Sequence, residues 1–183
     1  MLSNSHDRCC SRRGLAAGRR GFLKLAALGG GATLLSAAPL RRAVAGGGVE
    51  VLLLSCMDYR LMDDVTRYMD GRGLTNNYDH VILAGASLGA ITEKEPVWGE
   101  TFWRHVEVAK SLHHIRKVIV MDHRDCGAYR VLLGQDLKED RAHEAAVHGE
   151  VLHRLGQRIR DRHSDLEVEL LLMALDGSVE KVA

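Results

Sequence analysis

The sequence predicts an α/β domain in which helices flank a four-stranded parallel sheet. The first observation is a set of four apolar, strand-length segments at residues 49–55, 80–84, 118–121 and 168–175. The second is that the intervening segments mostly carry apolar residues at helical spacing, as crossover helices between parallel strands do. Because continuously apolar strands are covered on both faces, we expect helices on both sides of the sheet.

Four segments between and after these strands are interpreted as helical: residues 63–69, a helix that starts at Pro96, residues 128–133, and a long helix over about 137–162. The Pro96 helix is expected to bury one face, including His105 as a hydrogen-bonded core histidine; this face consists of Trp98, Phe102, His105, Ala109 and Leu112. Residues 88–95 are expected to form a flexible polar connection. Asp176-Gly177 predicts a turn into a short C-terminal tail.

The first 45 residues resemble a bacterial export signal rather than part of the fold. Arg19-Arg20 is a twin-arginine pair, an apolar segment follows at residues 25–40, and Ala43-Val44-Ala45 is a small-residue cleavage pattern. We therefore expect recognition by the twin-arginine export machinery, cleavage near Ala45 and a periplasmic location. The alternative is a membrane anchor, but the apolar segment falls short of the roughly 20 residues that span a bilayer.

The remaining residues, 46–183, suit one domain. They contain 17 Lys and Arg residues against 23 Asp and Glu residues, because eight of the basic residues lie in the first 45. This acidic balance argues against a nucleic-acid partner.

Two predicted strands deliver soft metal ligands at their carboxyl ends. Cys56 follows the first strand, and His123 and Cys126 follow the third. Sites form at the carboxyl edge of a parallel sheet, so these residues can converge if the two strands are neighbours. Two thiolates and one imidazole form a good ligand set for Zn²⁺, with one position left for water. In an exported protein, the competing expectation is a disulfide between Cys56 and Cys126.

Asp58 and Arg60 lie close to the first of these ligands. Asp58 can serve as a fourth metal ligand that closes the site, or as a hydrogen-bond acceptor for metal-bound water. Arg60 can hold that carboxylate in a bidentate fork, which would draw it away from the metal. In the second arrangement, the zinc-bound water has a lowered pKa and supplies hydroxide at neutral pH.

The two motifs, Cys-Met-Asp-Tyr-Arg-Leu at 56–61 and His-Arg-Asp-Cys-Gly at 123–127, resemble those of the β-class carbonic anhydrases. The similarity covers residues 49–135. It implies strand order 2-1-3-4, zinc on Cys56, His123 and Cys126, and a catalytic pair of Asp58 and Arg60. It also implies reversible hydration of carbon dioxide to bicarbonate by a homodimer or higher homo-oligomer.

Two features of the sequence differ from what is usual in that family. Ile82-Leu83 replaces the family's Arg-Asn, and an N-terminal helical arm is expected to be missing. Related folds act on carbonyl sulfide or carbon disulfide, and a non-catalytic zinc protein is a further alternative. Asp125 and Gly127 are expected to surround the metal ligands. Asp122 and Asp125 either bond the loop or orient His123, or they are solvated carboxylates of a turn.

The segment from His143 to His148 resembles a zinc-protease motif but has one residue too many between its two histidines. His143 and His148 are spaced five apart, which places them on different faces of a helix. We therefore do not expect these two residues to bind one metal ion.

Overall fold

The computed structural model describes residues 49–183, so the predicted export signal lies outside the described residues. The strands are β1 (Val51–Cys56), β2 (Tyr78–Leu83), β3 (Lys117–His123), β4 (Glu167–Met173) and β5 (Val179–Lys181). The helices are α1 (Met62–Gly71), α2 (Ser87–Ile91), α3 (Pro96–His113), α4 (Gly127–Leu133) and α5 (Arg141–Arg162). None of these helices is long and apolar enough to cross a membrane.

The strands form one sheet in the order β2-β1-β3-β4-β5. The first four are parallel, which confirms the α/β class and the order 2-1-3-4. The prediction of a wholly parallel, four-stranded sheet is wrong, because β5 pairs antiparallel with β4. The predicted C-terminal tail returns along the sheet edge because Gly177 adopts a φ of 81° and Asp176 accepts hydrogen bonds from Ser178.

Side chains of the central strands alternate between two hydrophobic cores. On β1, Leu52 and Leu54 face the core beneath α2, α3, α4 and α5. Leu53, on the other face, packs with Val65 and Met69 of α1. This two-sided burial explains why the strand is continuously apolar, since both sets of alternating side chains leave water.

Two helical predictions need correction. Ser87–Ile91, which overlaps the expected flexible connection at 88–95, forms the buried helix α2, because its apolar side chains pack into the larger core. On α3, the buried face contains Phe102, Val106 and Ala109, whereas His105 is exposed and Leu112 is 67% exposed. His105 is therefore not a core histidine; its ring bonds the carbonyl of Thr101 at the helix surface.

Helix α5 begins at Arg141, a few residues later than predicted. Asp140 caps it, because its carboxylate accepts hydrogen bonds from the backbone amides of Ala142 and His143 at 3.0 Å each. The predicted inner residues Leu152, Leu155 and Ile159 are buried. Ala145 is only half buried, and the corresponding interior position is taken by Glu144.

Candidate metal centre

The three predicted metal ligands meet at the carboxyl edge of the sheet. β1 and β3 are hydrogen-bonded neighbours, so Cys56 at the end of β1 lies beside His123 at the end of β3. Cys126 follows at the N-cap of α4. The Sγ atoms of Cys56 and Cys126 are 3.9 Å apart, and the ligand atoms of all three residues lie within 4.8 Å of one another.

His123 has one ring nitrogen available for a metal. Its Nδ1 lies 2.8 Å from the carbonyl oxygen of Arg124, and a carbonyl can only accept, so Nδ1 carries the proton. The other nitrogen, Nε2, is buried and has no hydrogen-bond partner within residues 49–183. A buried polar atom without a partner is costly, and this one has the lone pair that a metal ion requires.

The hydrogen bond between the two cysteines shifts their pKa values in opposite directions. The hydrogen bond with Cys126 lowers the pKa of Cys56 to about 4, against burial, and the amide of Gly85 also donates to the Cys56 sulfur at 3.3 Å. The same interaction with Cys56 raises the pKa of Cys126. Burial lowers the pKa of His123, but the neighbouring Cys56 raises it overall. These contacts favour ionisation of Cys56 over Cys126.

These residues fit a zinc ion and do not form a disulfide. Two thiolates at about 2.3 Å from a tetrahedral zinc ion are separated by roughly 3.8 Å, close to the observed spacing. A disulfide requires about 2.05 Å between the sulfurs, and both cysteines are free in the structure. The donor set, the sulfur spacing and the unpartnered nitrogen of His123 all suit zinc.

Asp58 lies beside this cluster and is held by Arg60. The guanidinium donates Nε to Oδ1 at 3.0 Å and Nη2 to Oδ2 at 2.8 Å, which is the bidentate fork expected from the sequence. Oδ2 of Asp58 remains 3.7 Å from Nε2 of His123. The bonds from Arg60 lower the pKa of Asp58, and those with Asp58 raise the pKa of Arg60.

Asp125 connects this pair to the loop between His123 and Cys126. Its carboxylate accepts from Arg60 Nη1 at 2.9 Å, and its carbonyl accepts from Arg60 Nη2 at 2.9 Å. Asp125 adopts a φ of 54°, which an ordinary side chain rarely does without support. Gly127 follows as the first residue of α4, where it lies at the rim of the site.

A buried polar cluster, which the sequence did not predict, lies beneath the loop between His123 and Cys126. The carboxylate of Asp122 accepts from the Ser87 amide and hydroxyl, from the Tyr129 hydroxyl and from Nδ1 of His148. Asp122 thus bonds α2, α4 and α5 together instead of its own loop. Glu144 is also buried, at 3% exposure, and it accepts from the Asp125 amide at 2.5 Å.

A sequence signal for this cluster existed in the spacing of Glu144 and His148. Residues four apart lie on one face of a helix, and here both point into the protein. His148 was paired with His143 in the sequence analysis instead of with Glu144. His143 is exposed while His148 is buried, so those two histidines do lie on different faces.

Two cavities of contrasting character flank the site. One, of about 420 Å³, is largely apolar and is lined by Cys56, Ala84, Trp98, Ala128 and Leu132, among others. The other, of about 370 Å³, is lined mainly by charged and polar residues: Asp58, Arg60, Asp125, Arg130, Asp136, Lys138, Glu144 and His148. Asp58, Tyr59 and Cys126 line both cavities, so the two spaces meet at the candidate metal position.

Comparison with known proteins identifies the family. Residues 48–183 match a family model described as "Putative carbonic anhydrase". The chain belongs to this carbonic anhydrase family. An uncharacterized protein of Rickettsia conorii is 40% identical over 131 residues, which cover 72% of this chain and 70% of that protein.

Solved carbonic anhydrases share the fold of this family member. The enzyme from Streptococcus mutans is 20% identical with a TM-score of 0.50, covering 75% of this chain and 83% of that one. The enzyme from Glaciozyma antarctica is 21% identical with a TM-score of 0.50, covering 92% and 97%. At such identities the similarity shows a common fold, and the chemistry has to be argued from the residues of this chain.

Proposed function

We propose that this protein is a zinc-dependent carbonic anhydrase that interconverts carbon dioxide and bicarbonate. Cys56, His123 and Cys126 would hold the zinc ion. The observation that carries the proposal is the position of Asp58. Arg60 holds its carboxylate beside the three ligand atoms, and the carboxylate itself stays outside that cluster. This arrangement leaves a metal position accessible, as catalytic zinc sites require.

A zinc ion bound by these residues would act as a Lewis acid that activates water for attack on carbon dioxide. Asp58 is placed to orient the attacking water, because its Oδ2 lies 3.7 Å from the free nitrogen of His123. Asp58 is ionised at neutral pH, since the bonds from Arg60 move its pKa still further below neutrality, so the carboxylate can accept a hydrogen bond. Arg60 fixes the direction of this carboxylate.

The apolar cavity suits a small, uncharged substrate. Ala84, Trp98, Ala128 and Leu132 offer it no charge, and the cavity reaches Cys56 and Cys126. Carbon dioxide fits such an environment, since apolar walls cost it little hydration. Carbonyl sulfide and carbon disulfide are equally small and linear, so they are the alternative substrates to assay.

The deciding experiment combines metal analysis with a carbon dioxide hydration assay on the full-length protein. We expect about one zinc ion per chain and hydration that a zinc chelator abolishes. Bound zinc without turnover of carbon dioxide or of either sulfur analogue would contradict the proposal and favour a non-catalytic zinc protein. Absence of zinc from protein prepared under reducing conditions would remove the metal assignment itself.

We further propose that the protein acts as a homodimer or higher homo-oligomer. Large apolar side chains are exposed at and near the rim of the apolar cavity, including Tyr59 at 86%, Val131 at 75% and Met57 at 62%. Exposed apolar groups of this kind mark association surfaces. Sedimentation of the protein and of Val131→Asp tests this; a monomer at micromolar concentration in both would contradict it.

Export to the periplasm by the twin-arginine route remains a proposal that rests on residues 1–45. Replacing both Arg19 and Arg20 with lysine should retain the protein in the cytoplasm. Cell fractionation with an antibody against the mature domain measures this, and unchanged periplasmic recovery would exclude the route.

A further inference from the structure

Glu144 is a buried carboxylate that the proposed chemistry does not use directly. It lies in the first turn of α5 at 3% exposure, and its partners belong to the loop that carries the metal ligands. Oε1 accepts from the backbone amide of Asp125 at 2.5 Å, and Oε2 accepts from Nη1 of Arg124 at 3.2 Å. Removing this carboxylate would leave the Asp125 amide without its acceptor in a part-buried position.

The contacts of Glu144 extend to Asp58 through two residues. Asp125, held at its amide by Glu144, accepts two hydrogen bonds from Arg60 through its carbonyl and its carboxylate. Arg60 in turn holds both oxygens of Asp58. The carbonyl contact depends on the backbone direction at Asp125, whose φ of 54° is sustained by surrounding contacts. Glu144 thus acts on the backbone conformation that positions Arg60.

The carboxylate of Asp58 lies close enough to the metal position to reach it. Its Oδ2 is 3.7 Å from Nε2 of His123, so a small rotation away from Arg60 would bring the carboxylate to the metal. As a fourth ligand it would occupy the position that an external ligand needs. The strength of the Arg60 fork therefore decides whether the site is open or closed.

We propose that Glu144 is a positioning residue that keeps the Asp58 carboxylate off the metal, by way of Asp125 and Arg60. The inference rests on the proposed zinc site and adds to it a residue 84 positions from Arg60 in sequence. Glu144 makes no hydrogen bond to the metal ligands' donor atoms or to Asp58; it reaches them through the backbone amide of Asp125. Its effect should therefore be seen in access to the metal more than in metal binding.

Access of an external ligand to the metal can be measured by replacing zinc with cobalt and adding azide as a probe ligand. In the wild-type protein, azide should change the visible spectrum of bound cobalt. In Glu144→Leu, which removes both carboxylate oxygens, we expect at least a tenfold weaker azide affinity, on the order of what 90% closure by Asp58 produces. Glu144→Gln keeps an acceptor for the Asp125 amide and should remain near wild type.

The double variant Glu144→Leu/Asp58→Ala distinguishes closure from general damage. Without the carboxylate nothing closes the site, so the azide response should return. A matched control is Leu155→Ala, a fully buried residue on the same helix, which should lower the melting temperature without weakening azide binding. If Glu144→Leu does not fold, Asp125→Ala tests the next step by removing one of the two bonds between Asp125 and Arg60, at a side chain that is 42% exposed, and it should weaken azide binding in the same direction.

Two results would overturn the inference. One is a wild-type azide response in Glu144→Leu, or in Asp125→Ala if that variant has to replace it. The other is a lost response that Asp58→Ala does not restore. Failure of the wild-type protein to bind cobalt or zinc is a different outcome, because it would contradict the proposed function together with this extension of it.

Discussion

The sulfur atoms of Cys56 and Cys126 lie 3.9 Å apart although the two residues are separated by 70 positions in the chain. Their strands, β1 and β3, are direct neighbours in the sheet, and both end at the same edge. The spacing is too wide for a disulfide and matches two thiolates on one zinc ion. The pair is therefore a candidate metal site, and oxidation of the two cysteines would compete with metal binding.

Removal of the metal should make this pair sensitive to oxidation. The pKa of Cys56 is lowered to about 4, so a thiolate is present at neutral pH to start disulfide formation. We expect metal-free protein treated with a mild disulfide oxidant to lose two hydrogen atoms within one chain. Intact-mass analysis and non-reducing peptide mapping measure this. Zinc-loaded protein should resist, and equal oxidation of both forms would contradict the shared site.

Cys126→Ser should release the metal. One of three ligands is lost, so zinc affinity should fall by more than the roughly 10–100-fold that loss of a supporting hydrogen bond costs. Competition with a zinc-sensitive dye measures the affinity. Full zinc occupancy in this variant at sub-micromolar free zinc would remove Cys126 from the ligand set.

Asp58→Asn should separate catalysis from metal binding. The amide can still occupy the space of the carboxylate, but it is neutral and a weaker acceptor, so zinc content should be preserved. We expect hydration to fall by about 10²-fold or more, the usual size of a lost acid–base or orienting group. Stopped-flow hydration normalised to bound zinc is the measurement. Unchanged turnover would exclude Asp58 from the mechanism.

Gly89→Ala should destabilise the protein even though alanine favours helices. A Cβ on Gly89 would lie 2.4 Å from the carbonyl oxygen of Ala84, in the turn after β2. The backbone must shift, at a cost of about 1–3 kcal/mol. Gly149→Ala in α5 is the matched control, because its Cβ meets only Val182 at 3.9 Å. Denaturant unfolding should show the control to be neutral or slightly stabilised; equal stability of both variants would contradict the close approach.

The cap of α5 should make stability depend on pH in a defined direction. Bonds from the amides of His143 and Ala142 lower the folded-state pKa of Asp140 below its ordinary 3.8. The carboxylate therefore stabilises the fold above the ordinary value, and this contribution is lost as the pH falls through the lower folded value. Asp140→Ala should lower the melting temperature at about pH 6, and the difference from wild type should shrink progressively as the pH falls below 3.8. A difference independent of pH would exclude the charged cap.

The strands and the metal ligands could be predicted from sequence because each depends on local patterns. The segment that contains Leu52, Leu53 and Leu54 is apolar without alternation, and only a strand covered on both faces explains that over so short a length. Cys56, His123 and Cys126 directly follow such strands. Their convergence needed one further fact, the adjacency of β1 and β3, which the family resemblance implied and the structure shows.

Other features could not be predicted because they depend on distant partners. The C-terminal residues that form β5 have no strong strand pattern and pair only because β4 leaves a free edge. Residues 87–91 are short, contain a glycine and adjoin a polar segment, yet Asp122 accepts two hydrogen bonds from Ser87 and the helix is buried. His105 matched the apolar face by spacing, but Val106 takes the buried position.

The sequence by itself determined the four parallel strands, the three candidate metal ligands and the Asp58–Arg60 pair, since each lies in a short local pattern. Only the tertiary structure decided how that pair is supported. Glu144 is remote in sequence from Arg60, and a buried carboxylate has no local signature that names its partner. Its role depends on the packing of α5 against the loop around Asp125, where a desolvated charge must find its donors.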